Sequence, residues 1–479
     1  MATIVRRHGY LRFAAACAVA LGTVVATGSD ASAGGSGTEV WTARYSGPDG
    51  VGAHGARRVV TSPDGRTVFV TGSSEQDYAT IAYRVSTGAS TWTSRYDGPG
   101  HGTDRPDAMA VSPDGTMVFV TGTSVGTSGR SDYATVAYDA ATGGLLWVRR
   151  YDGPGTRRHG NDTATSLAVS PDGSTVFVTG RSAGAMTHSD YATIAYDSST
   201  GRRRWSQRLD GPEGDYDGAN ALAVSPDGRA VFVTGYVNDY KFYGEDYGTV
   251  AYDAVTGAVI WTAFFDSRTD HEPGDFATAL AVSPDATTVF VTGSTTSAYA
   301  TLAYDTATGA RIWKAIYETG GFATPTALAV GPDGTTVFVT GHANRWRRRT
   351  PETFAFATFA YDAATGARVW EQHFAGPIDE GAHPSSLALS PDGMTVYVAG
   401  QATVSKSPYA SDLALIAYEA TTGAATWQRL YDGKAHSIDS ATSVASTPDG
   451  SKVIATGIEF GEIVGNRRES SYVTIALTP

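Results

Sequence analysis

Five aspartates, Asp104, Asp162, Asp217, Asp275 and Asp439, each stand eight residues before a Ser-Pro-Asp or Thr-Pro-Asp turn. Hard oxygen donors at equivalent places of a repeat can share one rim, where they would bind a cation or the hydroxyls of a sugar. A residue written into so many repeats also caps a loop by accepting backbone hydrogen bonds, and the repetition favours that reading. Departures from the repeat are therefore the better ligand candidates. The first unit carries His54 at this place, the seventh reads as His383 and the sixth as Ala323. His101, His159, His271 and His436 fall in the same class of loop. A zinc site would need three or four of them to converge, which units spread around an array oppose, so solvated loop histidines are expected.

A second kind of candidate is the run Arg345-Trp346-Arg347-Arg348-Arg349, basic and aromatic on a chain of net charge −12. Guanidinium forks and an indole face suit an anionic polymer or a carboxylate-bearing partner. The plain alternative is a solvated insertion tip. No Gly-rich phosphate loop, zinc-protease helix motif or nucleophile elbow occurs, and nothing places a Ser-His pair, so no catalytic residue is assigned.

The elements that must position these residues are visible in the turns. The signal Ser62-Pro63-Asp64-Gly65 recurs from Ser112, Ser170, Ser225, Ser283, Gly331, Ser390 and Thr447. Repetition at intervals of roughly fifty to sixty residues marks a repeat architecture. Within one unit, Ser166–Ser170 and Thr175–Thr179 are short apolar strands flanking Pro171-Asp172-Gly173, with Pro and Gly placed as a type I turn wants them. Tyr191–Tyr196 and a strand around Trp205 complete a four-stranded meander. Inner strands apolar on nearly every residue need cover on both faces, which neighbouring sheets supply.

The ends specify closure. Trp recurs in the fourth strand at Trp92, Trp147, Trp205, Trp261, Trp313, Trp370 and Trp427, and the last unit stops after its third strand, Tyr472–Pro479. Its missing strand is Glu39–Pro48, which repeats the pattern of Trp92–Pro99. A ring must close, whereas an open array would not split a unit between its termini. The expectation is an all-β, eight-bladed β-propeller of four-stranded blades, closed by the N-terminal strand completing the C-terminal blade.

The run Ala137-Tyr-Asp139-Ala-Ala-Thr142-Gly143, followed by Trp147, resembles the tryptophan-docking motif of quinoprotein-like (PQQ-like) propeller repeats. Copies run from Ala251 to Trp261, Ala303 to Trp313 and Ala360 to Trp370. The resemblance implies a secreted bacterial type of propeller in which each Trp stacks between blades. The enzymatic branch of that family binds pyrroloquinoline quinone (PQQ) and calcium through a Glu, an Asn and a catalytic Asp; no such set is identifiable in this sequence, so no catalytic residue carries over.

At the start of the chain, Arg6, Arg7 and Arg12 precede an apolar run from Phe13 to Thr27, and Ala31-Ser32-Ala33 offers a cleavage site. Residues 1–33 read as a secretory signal, with twin-arginine export an alternative route, and residues 34–479 as one propeller domain. The run is too short to span a bilayer. The single cysteine, Cys17, lies in that signal, so the exported chain would hold no disulfide. Acidic balance argues against nucleic acid. The expected function is a secreted, non-enzymatic binding or scaffold propeller, a monomer without membrane insertion or cofactor. Its protein or carbohydrate ligand would sit on the face of variable loops, in the sector of blades six to eight and one, where the seventh unit also replaces the usual Tyr by Leu413. The alternative is an enzyme, either a PQQ- and calcium-dependent sugar or alcohol dehydrogenase or a polysaccharide lyase or hydrolase.

Overall fold

The computed structural model describes residues 37–48, 52–155, 160–184, 188–212, 214–239, 244–267, 274–296, 298–319, 322–344, 346–347, 350–351, 354–378, 381–406, 409–464 and 467–479. The N-terminal segment read as an export signal lies outside these residues. Among the described residues every regular element is a strand, and no helix is long and apolar enough to cross a membrane.

The strands form eight four-stranded antiparallel sheets. Blade one consists of His54–Thr61, Thr67–Ser74, Asp77–Arg84 and Ser90–Tyr96, hydrogen-bonded in chain order, and blades two to seven repeat the plan. Blade eight takes Asp439–Ser446, Val453–Val464 and Arg467–Leu477 from the C-terminus. Its outer strand is Glu39–Tyr45, antiparallel to Arg467–Leu477 with Trp41 opposite Ala476 and Tyr45 opposite Tyr472. The Thr478 N–H donates to Thr38 O at 2.9 Å, so both ends of the ring are sewn at one point. The chain is an eight-bladed β-propeller, as the split last unit implies.

Each turn follows from its residues. In the third unit Ser170 Oγ donates to Asp172 Oδ1 at 2.5 Å and accepts from the Thr175 N–H at 2.9 Å. Where Asp285-Ala286 replaces Asp-Gly, the Ser283 to Asp285 bond remains at 2.5 Å, and Ala286 is held at φ 60°, in the left-handed region.

The core lies between the sheets. Trp313 is 8% exposed, its ring centroid lies 5.8 Å from Phe290 of its own blade, and its Nε1–H donates to Ala363 O of the next blade at 2.8 Å. Trp41 does the same toward Val85 O, also at 2.8 Å. The indole fits because the next blade's Thr-Gly turn presents no side chain. A Cβ on Gly366, at φ +72°, would stand 2.6 Å from the Trp313 ring, so this position needs glycine for conformation and for space. Thr side chains tie the first strands together around the axis: Thr165 Oγ1 donates to Ala219 O and Thr442 Oγ1 to Ala56 O, each at 2.9 Å.

Candidate functional site on the variable face

Meander connectivity sorts the loops into two faces. The Pro-Asp-Gly and Thr-Gly turns share one end, where the Ala254 N–H donates to Arg229 O at 2.9 Å. The second-to-third-strand loops and the links between blades share the other, where the Asp162 N–H donates to Ser131 O at 2.7 Å. The first face repeats; the second varies and carries the candidates that lie among the described residues.

The five repeated aspartates are fully buried on that second face. Asp104 accepts from the Gly98 N–H at 2.5 Å and the Val125 N–H at 2.8 Å. Asp162 accepts from Gly153 at 2.7 Å and Ala183 at 2.8 Å, and Asp217 from Gly211 and, at 2.9 Å, from Asn238. Asp275 is held by the Ser267 N–H at 2.6 Å and its hydroxyl at 2.8 Å. Asp104, Asp162 and Asp217 clamp the link between blades to the end of a second strand. Burial pushes the pKa values of Asp104 and Asp162 up, that of Asp217 to about 7 and that of Asp439 to about 6.

Sequence reading missed the company they keep. Each belongs to a triad with the carboxylate just before the preceding blade's third-strand aromatic or Leu413 and the one just after its fourth strand. The triads are Asp77-Asp97-Asp104, Asp132-Asp152-Asp162, Asp190-Asp210-Asp217, Asp246-Asp266-Asp275 and Asp412-Asp432-Asp439, with one ligating oxygen of each member within 4.8 Å of the others. At the three remaining junctions the set is dismantled together. Equivalent positions hold Ala298, Glu318 and Ala323; Ala355, Ala375 and Ala382; and Ser471, Ser46 and His54. The signal for this was in the sequence, as an Asp directly after the fourth strand at Asp97, Asp152, Asp210, Asp266 and Asp432.

Register corrects one expectation. Ala382 pairs with Ala402 as His54 pairs with Ser74, so Ala382, not His383, occupies the repeated Asp position in blade seven. His383 is the next residue and therefore points to the opposite face of its sheet. There its ring meets His342 at 5.4 Å and Phe354 at 5.2 Å, and His342 lies 5.5 Å from Phe354. Burial, with His383 beside it, pushes the His342 imidazole down to about 4, and burial lowers His383 as well. Both rings are neutral at pH 7. Phe322, 56% exposed, and Ile378, 39% exposed, lie in loops of the same face, with the Asn344 N–H donating to Phe322 O at 3.0 Å.

His54 is 2% exposed; its Nδ1 lies 2.9 Å from Ser74 Oγ, and its backbone N–H donates to Ser470 Oγ at 2.9 Å. It is walled into the closure and presents no open ring to a ligand. Leu413 is likewise buried in the core. His101 and His436 sit in the solvent, paired with Asp97 at 2.6 Å and Asp432 at 2.5 Å, partners that raise their pKa values. His159 and His271 lie outside the described residues. The basic loop contains a two-residue ribbon, Trp346 opposite Pro351 and Arg347 opposite Thr350, rather than irregular chain. Arg345, Arg348 and Arg349 lie outside the described residues.

A sequence profile of the family described as outer membrane protein assembly factor BamB, of the PQQ-like repeat type, matches residues 22–315 and 246–471. No curated protein sequence matches. Among solved structures, Sqt1 of Chaetomium thermophilum is 13% identical, covering 92% of this chain and 98% of that one at a TM-score of 0.57. The same protein bound to the N-terminus of the ribosomal protein L10 is 14% identical over 91% and 98%, at 0.56. Quinohemoprotein alcohol dehydrogenase of Comamonas testosteroni is 14% identical over 92% and 76%, at 0.53. Likeness at such identities is one of fold, shared by a protein binder and a redox enzyme alike.

Proposed function

Since the chain belongs to the PQQ-like propeller family described as outer membrane protein assembly factor BamB, we propose that it is an exported, non-enzymatic binding propeller that docks a protein segment on its variable face, at blades six and seven. One observation carries this reading: the neutral ring cluster of His342, Phe354 and His383, at the end of the blades where the loop residues Phe322 and Ile378 are also exposed. Binding energy at protein interfaces concentrates in aromatic anchors set in a surface whose centre is poor in charge. Blade six has that character because both of its junctions, with blades five and seven, have lost their acidic triads, while the arc of blades one to five and the junction of blades seven and eight keep theirs. The ribbon at Trp346–Arg347 lies in the loop between the second and third strands of the same blade. The bound L10 segment on Sqt1 is a precedent of fold, for a propeller taking up a peptide. Export rests on the basic and apolar pattern of the first 33 residues.

The test is site-specific photo-crosslinking in the native host, with the reactive residue at Phe322 or at Val255, which is 78% exposed in a Thr-Gly turn of the opposite face. A discrete protein adduct from position 322, lost in a Phe354→Ala background and missing from position 255, is the expected result. Equal labelling from both positions would overturn the reading. So would dye-linked oxidation of an alcohol or aldose after reconstitution with PQQ and calcium, since that would make the chain a dehydrogenase.

A further inference from the structure

The five acidic triads are not equivalent, and the one between blades seven and eight departs from the pattern of those that follow blades one, two and three. In blades one, two and three an arginine of the fourth strand neutralises the third-strand aspartate: Arg95 with Asp77 at 2.8 Å, Arg150 with Asp132 at 2.7 Å and Arg208 with Asp190 at 2.7 Å. In blade seven the same register position, opposite Ala414, is Leu430. No guanidinium reaches Asp412 from there. The central carboxylates Asp104, Asp162 and Asp217 use both oxygens on backbone N–H groups. Asp439 uses only Oδ2, on the Gly433 N–H at 2.5 Å. The amide equivalent to that of Val125 belongs to Phe460, and it donates to Ile438 O instead, at 3.2 Å. Oδ1 of Asp439 is left buried and unpartnered, on a residue with no exposed surface.

Two hydroxyl oxygens at the same junction, on Ser411 and Ser437, are also buried without a partner, and the Ser411 N–H donates to Ser437 O at 3.0 Å. Of the neighbouring charged groups, Glu459 is already engaged by Arg44 at 2.7 Å and by the Lys434 N–H at 3.0 Å, and exposed His436 holds Asp432. Three carboxylates within 4.8 Å, with one buried oxygen unsatisfied and no arginine on the third-strand member, are a costly arrangement for folding to preserve.

We propose that Asp412, Asp432 and Asp439 form a calcium site that pins blade seven to blade eight, next to the strand that closes the ring. The donor set is all hard oxygen, and calcium tolerates the irregular geometry of groups drawn from three separate segments, completing its six to eight ligands with water and hydroxyl or carbonyl oxygens. The three triads that follow blades one, two and three are structural clamps, held by amides and by an arginine each.

Calorimetric titration of the chelator-treated full chain with calcium chloride at pH 8, where protonation of the triad is suppressed, tests the assignment. Wild type is expected to bind calcium. Asp412→Asn and Asp439→Asn should each weaken that binding at least tenfold, whereas Asp104→Asn, at the amide-saturated junction, should leave it unchanged. Should Asp439→Asn not fold, Asp412→Asn, away from the amide clamp, decides alone. No calcium binding by wild type, or calcium binding unaffected by Asp412→Asn, would overturn the proposal.

Discussion

Ring closure makes a quantitative demand on Trp41, which a sequence-ordered view would place in a frayed N-terminal tail. Trp41 and Trp313 are each 8% exposed, and each donates its Nε1–H to the next blade at 2.8 Å. Each ring also lies 2.6 Å from the point where a Cβ would stand on the next blade's turn glycine, Gly88 or Gly366. Replacing a buried Trp by Ala costs about 3–5 kcal/mol; the lost indole hydrogen bond is worth about 1 kcal/mol of that order. Trp41→Ala and Trp313→Ala should therefore destabilise equally, by about 4 kcal/mol, although one residue is near the chain terminus and the other is deep in the array. Denaturant midpoints at unchanged slope give the two values directly. A terminal strand outside a closed ring normally frays at little cost. If Trp41→Ala costs less than about 1 kcal/mol while Trp313→Ala shows the full loss, the closure argument fails.

Gly366→Ala should cost about 2 kcal/mol or more, since the left-handed conformation alone costs an L-residue roughly 1–2 kcal/mol and the added methyl displaces Trp313; the same measurement reads it. Asp217 holds its proton up to about 7 in the folded chain, against about 4 when unfolded. The folded state thus binds the proton more tightly, and stability falls as pH rises from about 4 to about 7. Asp217→Asn should shrink the stability difference between about pH 5 and pH 8 by about 1 kcal/mol or more, read from denaturation curves at each pH. Asp139 and Asp253 act in the opposite sense, since hydrogen bonds from Thr142 and Thr256 lower their pKa values. Their contribution is present above about pH 4 and is lost on acidification, so stability should peak on the acid side of neutrality. For an acidic partner, Trp346→Ala combined with Arg347→Ala should weaken binding by about 2 kcal/mol, measured across a panel of acidic and neutral glycans and acidic peptides. A ligand indifferent to this pair, and to Phe322→Ala, binds elsewhere.

The architecture was legible because its devices are local. Pro-Asp-Gly turns, the spacing of Asp, Thr-Gly and Trp, and the orphan strand at Glu39–Pro48 each announce themselves within a dozen residues. The site was less legible because it is assembled across blades. Asp412, Asp432 and Asp439 come from two different blades and the link between them, and only the last was singled out from sequence. His383 shows how narrow the margin is. It stands seven residues before Ser390 rather than eight, in the right loop but on the other side of the sheet, because a strand reverses its side chains at every residue. His342, which makes the ring pair, follows the second-strand glycine, where other blades carry residues such as Ser73 or Arg181, and its chemistry appears only when the neighbouring blade is set beside it.

The seam at Thr38 and Thr478 also sets a timetable. The closing strand leaves synthesis early and its partner, Arg467–Leu477, is the last regular element to appear, so the Trp41 strand must wait for nearly the whole chain. Joining points so remote in sequence adds only logarithmically to the entropic cost of loop closure, yet it must come after the other blades are in place. A circular permutant that moves the termini to the loop around Asn238–Gly244 would turn this last, long-range event into an early local one, at the expense of opening a blade that normally folds from contiguous chain. Such a permutant should acquire its outer-edge strand sooner while reaching the same final ring.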